Sequence, residues 1–366
     1  MRLLRPLFFP SRFHRRIVAT SVSVALLFGA APDARADGAQ ATPRVLTIAA
    51  VGDIMLGGTA TPELARYGYD YPFERVGPLI RNADLAFGNL EGPLTERGQA
   101  QSKRYVFRSP PDRVAPALAR AGFDVVSLAN NHSMDYGIEG LRDTMQALAR
   151  VGIAHAGAGG NLVVAREPAF LNLDGRHVAV LAYSLTFPEE FWATDSRPGT
   201  AFGHEDQVRA DVAEARKRAE IVLVSFHWGQ EGSTELRDYQ RKLGHAAIEA
   251  GATAVIGHHP HVLQGVERYR DGIILYSLGN FVFGSYSAEA TRSAIAVLSV
   301  QQGRVRELTL YPINVKNAEV VFQPYLLKGT EADEVVRHMV QMSQPLGTAF
   351  QNSDGTAVWR VTEDAK

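Results

Sequence analysis

The chain has 366 residues, with 38 basic and 39 acidic side chains, 46% hydrophobic residues and no cysteine. That balance carries no footprint of a nucleic-acid binder. The absent thiols exclude disulfides and thiolate ligands, so any transition metal must be held by oxygen and imidazole nitrogen.

Residues 1–36 read as a signal peptide. Arg2, Arg5, Arg12, Arg15 and Arg16 form a basic start, residues 17–31 an apolar run, and Ala34-Arg35-Ala36 has small-residue cleavage spacing. The run is short for a bilayer span of about 20 residues, so cleavage after Ala36 and a periplasmic or secreted protein are expected. The alternative is an uncleaved membrane anchor, the one membrane contact expected, and Arg15-Arg16 leaves the choice of Sec or twin-Arg export open. Cleavage removes six Arg and one Asp, leaving 32 basic and 38 acidic residues and a net charge of −6. Residues 37–44 are a polar linker.

Residues 45–51 form a continuous apolar run, as expected of a strand covered on both faces, and lead straight into Gly52-Asp53. The pattern recurs at 84–87 before Gly88-Asn89-Leu90-Glu91, at 124–128 before Ala129-Asn130-Asn131-His132, at 221–225 before Phe226-His227-Trp228, and at 254–256 before Gly257-His258-His259-Pro260-His261. Helices are expected at 137–151, 206–219, 236–250 and 331–342, the first from the stripe of Ile138, Leu141, Met145 and Leu148. Asp174-Gly175 and Gln302-Gly303 mark two hairpins, 169–182 and 293–311. Strands alternating with helices, plus two hairpins, predict an α/β fold of two packed sheets in one domain. That domain is expected over 45–315, with 316–366 adding a C-terminal helix packed on it and a tail from Gln344 read as an appendage.

Polar clusters at the carboxyl ends of five successive strands point to one site, because adjacent strand ends converge there and their loops are free to carry function. Three imidazoles in four positions are costly in a core, since each needs a polar partner. Extended backbone at His259, favoured by Pro260, would turn His259 and His261 the same way, which makes both candidate metal ligands. His258 reads as a supporting or packed residue. Together with Asp53, Glu91, Asn131 and His227, this donor mix looks like a two-metal site for Mn, Fe or Zn, in which a carboxylate bridges the ions and both clamp phosphoryl oxygens.

Val51-Gly52-Asp53-Ile54-Met55, Asn89-Leu90-Glu91-Gly92-Pro93, Ala129-Asn130-Asn131-His132, His227-Trp228-Gly229, Gly257-His258-His259-Pro260-His261 and Ser277-Leu278-Gly279-Asn280-Phe281 follow in order over roughly 45–315. This series resembles the bacterial capsule synthesis family, the CapA type associated with poly-γ-glutamate, which is itself similar to calcineurin-like metallophosphatases. The resemblance implies a four-layer α/β/β/α sandwich around a dinuclear site. Asp53 would be the first metal aspartate, Glu91 the bridging acid, Asn131, His227, His259 and His261 further ligands, and His132 the proton donor to the leaving group. The chain departs from that pattern at Asp53-Ile54-Met55, where a phosphatase has Asp-x-His, and in having Glu for the bridging Asp.

Lys103, Arg104 and Arg108 are candidates for binding an anionic substrate. Glu231 and Asn280 are candidates for holding ligand imidazoles from behind. The function expected is an exported metal-dependent hydrolase of the metallophosphoesterase type, acting on an anionic small molecule or polymer alongside the capsule-synthesis machinery. The alternatives are a non-catalytic metal-site protein for polyglutamate synthesis, retention or export, and hydrolysis of that polymer's amide bonds.

Overall fold

The computed structural model describes residues 44–361. The expected signal peptide lies outside the described residues, as does all of the linker but Arg44. Among the described residues no helix is long and apolar enough to cross a membrane.

Strand Leu46–Met55 is the spine of a ten-stranded sheet. It pairs in parallel with Leu85–Leu90, which pairs in turn with Val125–Ser127 and then Ala154–Ala156, and antiparallel with Arg292–Gln301 on its other side. A six-stranded sheet is centred on Ile221–His227, flanked in parallel by Arg176–Ser184 and Ala254–His258. The central strands of both sheets are continuous hydrophobic runs because both faces are covered.

Three hydrophobic clusters define the layers. Phe87, Val125 and Leu298 of the larger sheet meet Val180, Leu223 and Ile256 of the smaller one in the middle. The outer face of the larger sheet packs against helices through Leu64, Leu118, Leu141 and Leu148. The outer face of the smaller sheet is covered by Val208, Val212, Leu243 and Ala247. The order is therefore α/β/β/α, and burying each such side chain stabilises the fold by about 1.5–3 kcal/mol.

Both expected hairpins form. Asp174 (φ 51°) with Gly175 (φ 87°), and Gln302 (φ 52°) with Gly303 (φ 69°), supply the paired positive φ angles of tight two-residue turns. The expected helices appear as Gly137–Arg150, Glu205–Arg216, Asp238–Glu249 and Gly329–Ser343.

Among the features that differ from expectation, two bear on the core. Helix Pro111–Ala121 has no counterpart in the sequence reading, because Pro111 and Pro116 obscure its periodicity; Pro111 is tolerated at the first helical position, where its missing N–H would have no helical partner. The tail is not an appendage. Gln351–Ser353 and Thr356–Arg360 form a hairpin that extends the larger sheet by pairing with Arg304–Asn314, and helix Gly329–Ser343 inserts Ala332, Val336 and Met339 into the central core.

Candidate metal centre

Register brings the polar strand ends together. In the larger sheet Asp53 lies opposite Asn89 on one side and Asn280 on the other, and the ladder is irregular at Asp53, as a bulge next to a site would be. In the smaller sheet His227 lies opposite His258, so His259 is the next residue beyond the paired end.

Glu91 stands at the middle of the cluster. Its Oε1 lies 3.9 Å from His132 Nε2, 3.9 Å from His227 Nε2 and 3.8 Å from His261 Nε2. All three separations are too long for hydrogen bonds, and Oε1, although buried, has no partner. Asp53, fully buried, accepts from Asn89 Nδ2 at 2.8 Å and faces His261 Nδ1 at 3.1 Å and the His259 backbone N–H at 3.3 Å. His227 Nε2 meets Asn131 Oδ1 at 2.8 Å.

The charges here are strongly perturbed. Burial raises the Asp53 carboxyl, but the hydrogen bond and charge of His261 outweigh it and hold the group below the usual range. Glu91 is pushed well above that range by burial and by the neighbouring Asp53 charge. Burial lowers His227 far below the ordinary imidazole value and takes His259 down to about 3. Burial also opposes protonation of His261, yet Glu91 and Asp53 together lift it to about 9.

The donor chemistry fits divalent cations. Asp53, Glu91 and His227 present ligand atoms within 4.8 Å of one another, and so do Glu231, His259 and His261. Two buried atoms in these groups, Glu91 Oε1 and His259 Nδ1, lack any hydrogen-bond partner. Leaving such a group unsatisfied costs about 1–3 kcal/mol, a penalty that a bound cation would remove. Oxygen and imidazole donors without thiolate suit Zn, Mn or Fe.

The backbone around His259 differs from the extended geometry expected there. His259 has φ 93° and His261 φ 60°, both in the left-handed region. Non-glycine residues held so cost of order 1–3 kcal/mol each and concentrate at functional sites. The two imidazoles converge through these two reversals, not through a straight strand. His261 is held by Asn280, whose Oδ1 lies 2.9 Å from its Nδ1. His258 points into the core, with Nδ1 3.2 Å from Ser225 Oγ and Nε2 3.2 Å from the Val51 carbonyl, and unlike His227 it belongs to neither group of converging donors.

His132 reaches Asp135 Oδ2 through Nδ1 at 2.7 Å, which leaves Nε2 facing Glu91. Burial lowers its pKa, against the opposing effect of Asp135. Lys103 is 2.6 Å from Asp135 Oδ1 and donates to the Asn131 carbonyl at 2.5 Å, so it buttresses this turn. Arg104 lies over the Tyr105 ring and Arg108 over the Tyr136 ring. None of these three cations lines the cavity of about 750 Å³ that opens beside His132 and His261. Its walls are Tyr105, Phe107, Phe283 and Tyr286, with Glu231 and Glu289 as its charged carboxylates.

Asn89, Asn130 and Asp135 escaped the sequence reading as site residues. Asn89 is a hub: its Nδ2 faces Asp53 at 2.8 Å, Glu91 at 3.2 Å and His227 Nδ1 at 3.3 Å, and its Oδ1 accepts from Asn130 Nδ2 at 3.1 Å. The available signal was its spacing two residues before Glu91, which puts both on one face of an extended segment. Asn89→Ala is expected to cost about 1–3 kcal/mol by stranding Asp53 and Asn130 in a buried site. An unchanged urea midpoint would remove the hub role.

The profile of the family described as Bacterial capsule synthesis protein PGA_cap matches residues 47–285. The Capsule biosynthesis protein CapA of Bacillus anthracis is 34% identical over 278 residues, covering 74% of this chain and 68% of its own. The PGA biosynthesis protein CapA of Bacillus subtilis (strain 168) is 33% identical over 276 residues, covering 75% and 73%. Among solved structures, the calcineurin-like phosphoesterase YfkN of Bacillus subtilis aligns over 72% of this chain and 87% of its own, at 13% identity and a TM-score of 0.43. A hypothetical protein from Thermus thermophilus aligns over 77% and 99%, at 15% identity and a TM-score of 0.45. Structural likeness at that level adds nothing to the layer order derived from the sheets themselves. The profile match over most of the described chain and the identity to the two CapA proteins show that the chain belongs to the bacterial capsule synthesis family.

Proposed function

We propose that this protein is an exported, metal-dependent phosphoester hydrolase of the metallophosphatase type that serves capsule or poly-glutamate synthesis in the cell envelope. The observation carrying the reading is the unpartnered Glu91 Oε1 among the Nε2 atoms of His132, His227 and His261, beside an open cavity. Divalent ions, two in this reading, would be held by Asp53, Glu91, Asn131, His227, His259 and His261, and when bound would supply Lewis-acid charge to polarise phosphoryl oxygens and acidify water.

The chain's own residues divide the remaining work. His132 presents Nε2 to the departing oxygen and would donate from it as the imidazolium, with Asp135 accepting from Nδ1–H and so stabilising that form and fixing the ring angle. Lys103 fixes Asp135 and the Asn131 carbonyl in turn. Asn89 sets the carboxylates of Asp53 and Glu91. Phe107, with its ring centroid 4.7 Å from that of His132, and Phe283, 4.6 Å from that of His261, shield the imidazoles from bulk water.

The cavity lining favours hydrolysis over the storage or transport of a polyanion. Apart from the residues grouped around the histidines it offers Glu289 and no Lys or Arg, so a long polyglutamate chain would find no cationic partner along the wall away from the metals. A single anionic group at the metals and a largely uncharged remainder suit it better.

The test is an assay of purified protein with Mn, Zn or Fe on an aryl phosphodiester, comparing wild type with His259→Ala. The variant is expected to lose metal and activity together. No metal uptake by the wild type, and no rate difference, would end this reading.

A further inference from the structure

The segment after strand Ile221–His227 is fastened at several points. Gly229 N–H donates to Tyr239 OH at 2.7 Å, and Gly232 N–H donates to the Pro260 carbonyl at 2.9 Å. The buried side chain of Gln264 donates to the carbonyls of Ser233 at 2.9 Å and Glu235 at 3.3 Å, and is itself held by Gln240 at 3.1 Å. Gly229 and Gly232 adopt φ 87° and 72°, which a residue with a side chain adopts only at a cost.

Between these anchors stands Glu231, exposed on the cavity wall. Its carboxylate has no hydrogen-bond or salt-bridge partner among the described residues, yet it shares a 4.8 Å neighbourhood with ligand atoms of His259 and His261. The bond from Gly232 to Pro260 ties this segment directly to the turn that carries those two imidazoles. A second observation points the same way: His259 Nδ1 is buried in the same cluster without a partner.

We propose that Glu231 is a metal ligand, closing with His259 and His261 a second triad of donors beside Asp53, Glu91 and His227. This inference rests on the metal reading above and deepens it. Two donors each about 2.1 Å from one ion lie at most about 4.2 Å apart, so an exposed Glu side chain closes the remaining gap by rotation. One carboxylate with two imidazoles suits Fe(II), Mn(II) or Zn(II).

The experiment is calorimetric titration of the metal-free protein with Mn(II), with metal content counted after gel filtration. Wild type, Glu231→Gln and Glu289→Gln are compared, the last altering a cavity carboxylate outside both triads. Glu231→Gln is expected to weaken at least one ion about 10-fold or more, with Glu289→Gln unchanged. Wild-type affinity for every ion in Glu231→Gln overturns the ligand assignment and leaves the hydrolase reading standing. No uptake by the wild type overturns both.

Discussion

His132→Asn is expected to slow hydrolysis of an alkyl phosphodiester by about 10²- to 10⁴-fold, the range for a positioned general acid. The same variant is expected to lose far less on bis(p-nitrophenyl) phosphate, whose leaving group departs without needing a proton. The prediction follows from geometry: His132 presents Nε2 toward Glu91 and the cavity, and Nδ1 is committed to Asp135 at 2.7 Å. Initial rates on the two substrates, with metal content measured on the same samples, decide it. Equal losses on both would take proton transfer away from His132, and a parallel loss of metal would make it a ligand.

Glu91→Gln carries the other large expected effect, on metal-linked stability. A ligand that binds only the folded state stabilises it by about 2.7 kcal/mol at 100 times its Kd. The wild type should therefore unfold several degrees higher with Mn(II) than without it. Glu91→Gln should lose most of that gain, because the acid between three imidazoles is gone. Without metal the variant should unfold at or above the wild-type temperature. Burial and the Asp53 charge already disfavour ionised Glu91, and Gln is its uncharged isostere. Thermal scans with and without Mn(II) measure both halves, and an undiminished metal-induced shift in the variant would show that Glu91 holds no ion. Sites selected for binding commonly sacrifice stability in this way.

The firmest part of the sequence reading was the grammar of a buried run followed by polar residues. It worked because strands covered on both faces must be continuously apolar, and such a run ends where the chain needs polar groups. It located Asp53, Glu91, Asn131, His132, His227, His259 and His261, which the fold gathers at one place. It ranked the cations poorly. Lys103, Arg104 and Arg108 interleave with Tyr105 and Phe107 in a manner that resembles an anion site, but Lys103 is spent on Asp135 and Asn131, and the two Arg lie over tyrosine rings.

Asn89 shows the limit from the other side. An Asn inside an apolar run reads as a strand-end residue, and its hub role exists only once Leu46–Met55, Leu85–Leu90 and Ile221–His227 are brought together. The same holds for the tail. A three-residue polar strand such as Gln351–Ser353 has no pattern of its own, and it is a strand because Thr356–Arg360 and Arg304–Asn314 offer it a ladder.

The sequence by itself determined the two-sheet α/β class, the strand-end polar clusters, the oxygen and imidazole character of the donors and the membership these motifs imply. Each is a property of local composition and order, which the chain carries before it folds. The tertiary structure decided which donors meet. It put Glu91 Oε1 at nearly equal distances from three imidazoles, reversed the backbone at His259 and His261, withdrew His258 into the core and brought Glu231 to the cavity wall. Those outcomes depend on register between strands far apart in the chain and on loops pinned by distant carbonyls, and spacing along one chain carries no measure of either.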